Sequence, residues 1–375
     1  MSRGNCLKPV EWGKTLSKKG GWAGNIQFIS TNTLFQALQF RRFVCIIDRI
    51  NGKNVLRKAK HGEINMICDN ILEAIGHTPV IRLNRMGDPD GAEILVKFEG
   101  LNVGGSIKTR TAYNMICDAE AKGLLHKDSI IVEPTSGNQG IGLALVAAVR
   151  GYKTKIIMPD SVSEERRKLM RHYGAEVILV HDAGNIGDCI AECIALSRKM
   201  AEDDPNVFLP RQFENPANPL AHKHHTALEI MEQVAGEIHG FCSGIGTGGT
   251  ISGIGEVLKA QYPDIEIWAV EPENAAILAG GTVGAHLQMG IGDGLIPDTL
   301  NQNIYSEICI ISDEEALQVS RDLARKEGIL CGISSGTNVA AAIKLAKKLG
   351  KGKRVITVLP DTAERYFSTP LFLGE

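Results

Sequence analysis

The chain has 375 residues, a formal net charge of −2, 43% hydrophobic and 22% charged residues, which suits a globular protein with a sizeable core and two domains. No apolar run reaches the roughly 18 residues that a membrane span needs, and basic and acidic residues interleave over most of the chain, which argues against a nucleic-acid partner. The nine cysteines are scattered, with Cys189 and Cys193 four apart and no C-x-x-C pair, so they are expected to be reduced thiols of a cytoplasmic protein, with neither a disulfide framework nor a metal site.

Residues 1–60 hold twelve Lys or Arg against two acids, Glu11 and Asp48. They lack both a secretory apolar core and the Ser/Ala richness of a transit peptide. Residues 1–65 therefore read as a basic, poorly ordered N-terminal extension ahead of a core starting at Met66, with a transit segment as the alternative; residues 40–57 allow a loose element.

Beyond residue 92, short β-rich runs alternate with helix-length segments. The runs are 93–99, 129–133, 153–159, 176–180, 241–244, 265–271 and 354–360. The helical segments are 108–124, 137–150, 163–173, 185–201, 218–235, 249–261, 313–327 and 336–349. This alternation predicts an α/β protein with parallel strands and right-handed crossovers. The strands are too apolar to leave one face wet, so helices should cover both sheet faces. The turn residues of FENPANP place a boundary near 210–220.

Several stretches between these elements carry polar groups that chemistry can use. In LNVGGSIKTR (101–110), Lys108 opens a helix, where the dipole disfavours its charge and suits it to be a nucleophile, a Schiff-base former or a base; a solvated lysine is the plain alternative. In EPTSGNQG (133–140), Thr135, Ser136 and Asn138 stand beside helix-start N–H groups, which suits a carboxylate or plain N-capping. His222, His224 and His225 lack metal-ligand spacing and read as packing or polar contacts. GIGTGGTISG (244–253) suits an anion at a helix start. It also fits G-x-G-x-x-G through Gly244, Gly246 and Gly249, with Glu271 placed as a ribose-binding acid would be; this leaves a dinucleotide site or a bare turn open. MGIGDGLIP (289–297) places Asp293 in a glycine-rich turn.

Taken in order, IGHTPVIRLNRM, GGSIKTR, EPTSGNQGIGLA, PDSVSEERRKLMRHYGAEVIL, QFENPANP, GIGTGGTISGIG, EGILCGISSGTNVAAA and VLPDTAERYFST closely resemble the cysteine synthase and cystathionine β-synthase group of fold-type II pyridoxal-phosphate enzymes, from Asp69 to Leu373. The resemblance implies two doubly wound α/β domains with mostly parallel sheets. The large cofactor-binding domain would take residues 66–101 and 213–375, and a smaller, mobile substrate-loop domain residues 102–212. It implies pyridoxal 5′-phosphate as cofactor and turns the glycine loop from dinucleotide to phosphate binding. Lys108 matches the Schiff-base lysine, and Gly246, Thr247, Gly248, Gly249 and Thr250 match the phosphate cradle. Asn138 matches the contact to the pyridoxal hydroxyl, and Ser334 the serine facing the ring nitrogen. Thr135, Ser136, Asn138 and Gln212 match the substrate-carboxylate site.

The implied reaction is β-replacement through an aminoacrylate, foremost cysteine synthesis from O-acetylserine and sulfide, in a homodimer. A cysteine lyase releasing H2S with water or a thiol as nucleophile is the second reading, and a non-catalytic scaffold the third. Three departures stand out: Gln139 where the group commonly has Thr, KHHTALEI in place of a T-T-G-P-E pattern, and Asp293 where O-acetylserine-using members commonly have a small residue. Asp293 is thus expected either to act as a base toward the incoming nucleophile or only to cap a turn.

Overall fold

The computed structural model describes residues 45–50, 53–58, 67–135, 137–184 and 186–373. The chain divides into two units, Met1–Asp69 and Asn70–Glu375. In the first, β1 (Cys45–Ile50) and β2 (Lys53–Lys58) form an antiparallel ladder from Cys45 opposite Lys58 to Ile50 opposite Lys53. The described part of the loose element expected over 40–57 is this antiparallel pair. The disorder expected for the rest of residues 1–65 lies outside the described residues.

The second unit holds two sheets. Strands β3 (Val80–Arg82), β4 (Glu93–Phe98), β9 (Gly240–Gly244), β10 (Glu266–Pro272), β11 (Glu307–Ile311) and β12 (Arg354–Leu359) form a six-stranded sheet in the order β11-β10-β9-β12-β4-β3. Strands β5 (Ile130–Pro134), β6 (Lys153–Pro159), β7 (Glu176–Val180) and β8 (Val207–Phe208) form a four-stranded sheet in the order β7-β6-β5-β8. Every pairing in these two sheets is parallel except β3 with β4.

Side chains on a strand alternate between faces, and the cores show it. Val96, Cys242, Trp268 and Val355 pack into one cluster, while their neighbours Leu95, Phe241, Ile267 and Ile356 pack into another. The six-stranded sheet is therefore covered on both sides. In the smaller sheet Ile156 and Met158 likewise face away from Ile157.

The seven predicted strands are all present, each within two residues of its expected ends. The three additional ones in these two sheets are short or at an edge: Val80–Arg82, Val207–Phe208, and Glu307–Ile311, which exposes Glu307 and Ile310 while burying Cys309 and Ile311. The single helix expected over 218–235 is Ala217–Ala221 and Ala227–Gln233 joined by a π-helical turn, His222–Thr226. The expected 313–327 helix likewise ends in a π turn, Leu323–Glu327. Such turns arise where one extra residue must be fitted into a packed helix, and they gather at functional sites. No described helix is long and apolar enough to cross a membrane.

Candidate active site

Because the strands run parallel, the loops beyond their carboxyl ends collect on one side of each sheet. The loop after β4 leads to the helix Lys108–Ala121, the loop after β5 to Asn138–Arg150, and the loop after β9 to Gly249–Gln261. These loops, the residues after β12 and the glycine turn line one pocket, which brings together Lys108, Thr135, Asn138, Gln212, Asp293 and Ser334. Gly246, Thr247, Gly248 and Thr250 line it too; Gly249 stands just behind them, and Ser136 lies outside the described residues.

Lys108 starts its helix with no side chain capping that end. The turn is held from outside: Ile107 N–H donates to Pro360 O at 2.8 Å, and Ser106 bridges Asp361. The neighbouring helix approaches closely because residue 142 is glycine; a Cβ there would lie 2.9 Å from Lys108 O. Burial pushes the Lys108 amine below the ordinary lysine range, against the pull of Asp293 and Asp361. An amine held toward its neutral form at the end of a flexible stem is a nucleophile and a base.

The loop after β9 is shaped for an anion. Gly248 is left-handed (φ 74°) and caps the helix Gly249–Gln261 without a side-chain hydrogen bond, so first-turn N–H groups remain for a ligand. Added side chains would ruin the shape: a Cβ on Gly246 would lie 2.3 Å from Gly290 O, and one on Gly249 2.2 Å from Asn218 Oδ1. Asn218 Nδ2 braces the loop by donating to Thr247 Oγ1 (2.9 Å) and Gln212 O (2.8 Å), while the Thr299 hydroxyl donates to Thr247 O. This narrow, uncapped N-terminus with threonine hydroxyls fits a phosphate monoester, and Lys108 in the same pocket fits the aldehyde of a pyridoxal. Ser334, buried in the first turn of the helix Ile333–Leu349, adds a neutral hydrogen-bonding group.

Glu271 is turned away from a ribose-binding role. It accepts from Leu278 N (2.9 Å) and Ala279 N (3.1 Å) and so ties down its own loop. His222 is a buried polar contact, with Nδ1 at 3.0 Å from Thr226 Oγ1 and Nε2 at 3.5 Å from Thr250 Oγ1, within the π turn that replaces the T-T-G-P-E pattern. Gln139 is fully buried in the pocket wall and meets the Thr111 hydroxyl at 2.7 Å, leaving its Nε2 without a hydrogen bond. In β5, Glu133 accepts from the N–H groups of Arg211 and Gln212, yet burial still raises its carboxyl to about 8.

Asp293 sits between Gly292 (φ 68°) and Gly294 (φ 78°). The glycines supply close approach rather than looseness. A Cβ on Gly292 would lie 2.8 Å from Pro272, Gly292 N–H donates to Ile245 O (2.9 Å), and His286 Nε2 lies 3.2 Å from Gly292 O. Burial raises the Asp293 carboxyl above the ordinary aspartate range, while Lys108 and His286 pull it down. The carboxylate reaches the loop after β9, since a Cβ on Gly246 would be 3.4 Å from Asp293 Oδ2.

Nothing in VLPDTAERYFST marks a site role, yet fully buried Asp361 and buried Arg365 of that segment lie against Asn138. Asn338, equally unmarked in the sequence, accepts at Oδ1 from Gly244 N–H (2.7 Å) and donates from Nδ2 to Val358 O (2.7 Å), locking β9 to β12 beside the pocket.

The pyridoxal-phosphate dependent enzyme family matches residues 71–361. Cysteine synthase of Staphylococcus aureus (strain Mu50 / ATCC 700699) is 48% identical over 305 residues, 81% of this chain and 97% of that protein. The crystal structure of O-ureido-L-serine synthase has 41% identity and a TM-score of 0.78, covering 82% of this chain and 96% of its own. A hydrogen sulfide-producing enzyme from Fusobacterium nucleatum has 40% identity and a TM-score of 0.76, covering 80% and 100%. The chain is therefore an enzyme with pyridoxal 5′-phosphate as its cofactor, and it belongs to the cysteine synthase and cystathionine β-synthase group of fold-type II pyridoxal-phosphate enzymes.

Proposed function

We propose that this pocket makes cysteine from O-acetylserine and sulfide, releasing acetate. The observation that carries the reading is Lys108, its charge disfavoured by burial, sharing one pocket with an uncapped glycine loop. Gly246, Thr247, Gly248, Gly249 and Thr250 hold the cofactor phosphate, and Ser334 faces the ring nitrogen as a neutral partner. Thr135, Ser136, Asn138 and Gln212 hold the substrate carboxylate. When bound, pyridoxal phosphate supplies the electron sink that makes Cα acidic. Lys108 takes the Cα proton, acetate leaves Cβ, sulfide adds there, and Lys108 returns the proton. Residues 102–212 act as the mobile part that closes over the substrate and excludes water, against the large domain of residues 66–101 and 213–375. The enzyme is read as a cytoplasmic homodimer.

Product analysis tests this directly, with O-acetylserine plus sulfide in one reaction and cysteine alone in another. Cysteine and acetate in the first support the reading. Serine and H2S in the second without cysteine in the first replace it with the lyase. No turnover of either by protein that carries its cofactor leaves a scaffold.

The lyase reading has one observation in its favour, the Asp293 carboxylate lining the pocket. Water needs a base to become a nucleophile, whereas sulfide is largely ionised near neutrality and does not. Asp293→Asn is therefore expected to slow water addition by about a hundredfold and to spare sulfide addition. The base must be ionised, so water addition falls as pH drops through the raised Asp293 pKa, and the variant loses that dependence. Equal rates in variant and parent for both nucleophiles leave Asp293 a turn residue only.

A further inference from the structure

Asn138 begins the helix Asn138–Arg150, and its carboxamide is gripped on both sides by the segment after β12. Arg365 Nη1 donates to Asn138 Oδ1 at 2.5 Å, and Asn138 Nδ2 donates to Asp361 Oδ2 at 2.6 Å. Reversing the amide would set its N–H groups against the guanidinium and its oxygen against the carboxylate. The two charges therefore fix its orientation. A carboxamide nitrogen carries two N–H groups, and Asp361 takes one. The acceptor side is held by a cation. The amide oxygen keeps one further lone pair beside that guanidinium, so what Asn138 can offer an accepting ligand atom in the pocket it lines is its second N–H.

The gripping groups are themselves held. Asp361 is fully buried, and its Oδ2 also accepts from the Tyr366 hydroxyl at 2.7 Å. Arg365 Nη2 donates to Gly104 O at 2.9 Å, in the loop that leads to Lys108, and Arg365 O accepts from Ser163 Oγ at 3.0 Å. That loop passes so close that a Cβ on Gly105 (φ 70°) would lie 2.4 Å from Arg365 Nη2. One guanidinium thus spans the asparagine loop and the lysine loop.

We propose that Arg365 and Asp361 are positioning residues that make Asn138 an obligatory hydrogen-bond donor to the cofactor's phenolic oxygen and set its place relative to Lys108. The proposal rests on reading Asn138 as a cofactor contact. It requires a ligand atom that accepts, which the 3-hydroxyl oxygen of pyridoxal phosphate is in its ionised form.

The test is a double-mutant cycle on the full-length protein, with pyridoxal phosphate as the probe. Its dissociation constant is read by absorbance, together with the pH profile of the bound cofactor's visible band. Asn138→Ala and Arg365→Met each raise the dissociation constant by about tenfold and displace the pH profile in the same direction. The double variant is no worse than either single one, because Arg365 acts through Asn138. If Arg365→Met fails to fold, the isosteric Asp361→Asn takes its place, and it too must be silent in the Asn138→Ala background. Additive losses in the double variant overturn the positioning role while sparing the cofactor reading of Asn138. An Asn138→Ala variant with unchanged affinity and spectrum overturns that reading and the proposal with it.

Discussion

Lys108→Ala is expected to lower cysteine formation by about a thousandfold or more, the span of a lost general base compounded by loss of the cofactor's covalent tether. Three features combine at this residue. Its helix start is uncapped, which disfavours a positive charge. Burial disfavours that charge further. Asp293 and Asp361 pull the other way, so the amine can take a proton during the reaction without being locked in the charged state. The variant should still bind the cofactor through the glycine loop but release it on dialysis. Borohydride, which is expected to fix the cofactor to Lys108 as a stable secondary amine in the parent, should fix none. A loss below about tenfold, or borohydride labelling that survives the substitution, would place the base elsewhere.

The fold was legible in the sequence because its strands are apolar runs punctuated by turn residues. Helix and strand periods differ, so KTKIIMP and GTISGIGEVLKAQ declare themselves and are found at Lys153–Pro159 and Gly249–Gln261. Periodicity failed where an element is too short to show it, as at Val207–Phe208, and where packing inserts a π turn into a helix, as at His222–Thr226. The pocket's glycines and Lys108 were legible because strand–loop–helix order alone puts them at the carboxyl ends of strands. Its supports were not. Asp361 and Arg365 reach Asn138 across separations of 223 and 227 residues, and a single sequence carries no signal for such a contact. The turn around Asp293 gave no sequence sign of its packing: Cβ atoms on Gly292 and Gly294 would meet Pro272 at 2.8 Å and Val283 at 3.2 Å, whereas Gly290 has open space around it.

The least legible feature was a buried set of charges behind the lysine helix, and it carries the second large prediction. Arg110 lies two residues beyond Lys108. Its Nε meets Glu99 at 2.7 Å and its Nη1 meets Glu229 at 2.6 Å, while Lys97 Nζ meets Glu229 at 2.7 Å. The Thr78 hydroxyl donates to Glu99 at 2.6 Å, and Lys97 also donates to Thr78 O at 2.5 Å. Two cations and two carboxylates therefore balance with nearly every lone pair and proton used. Removing one member leaves an uncompensated buried charge, so Glu229→Gln should cost about 3–5 kcal/mol of stability, read by denaturant unfolding of the protein with its cofactor removed. Arg110→Met combined with Glu229→Met should cost less than the sum of the single changes, because Lys97 and Glu99 still oppose each other. The pH dependence has a definite sign. Burial raises the Glu229 carboxyl, but its bonds to Arg110 and Lys97 outweigh that and hold it down to about 2, below the ordinary 4.5. Its contribution is complete above pH 4.5 and is lost as pH falls toward 2, so the gap between parent and Glu229→Gln should close over that window. A gap below about 1 kcal/mol that stays flat with pH would mean that the cluster is dispensable, and that packing alone holds the first turn of the Lys108 helix in place.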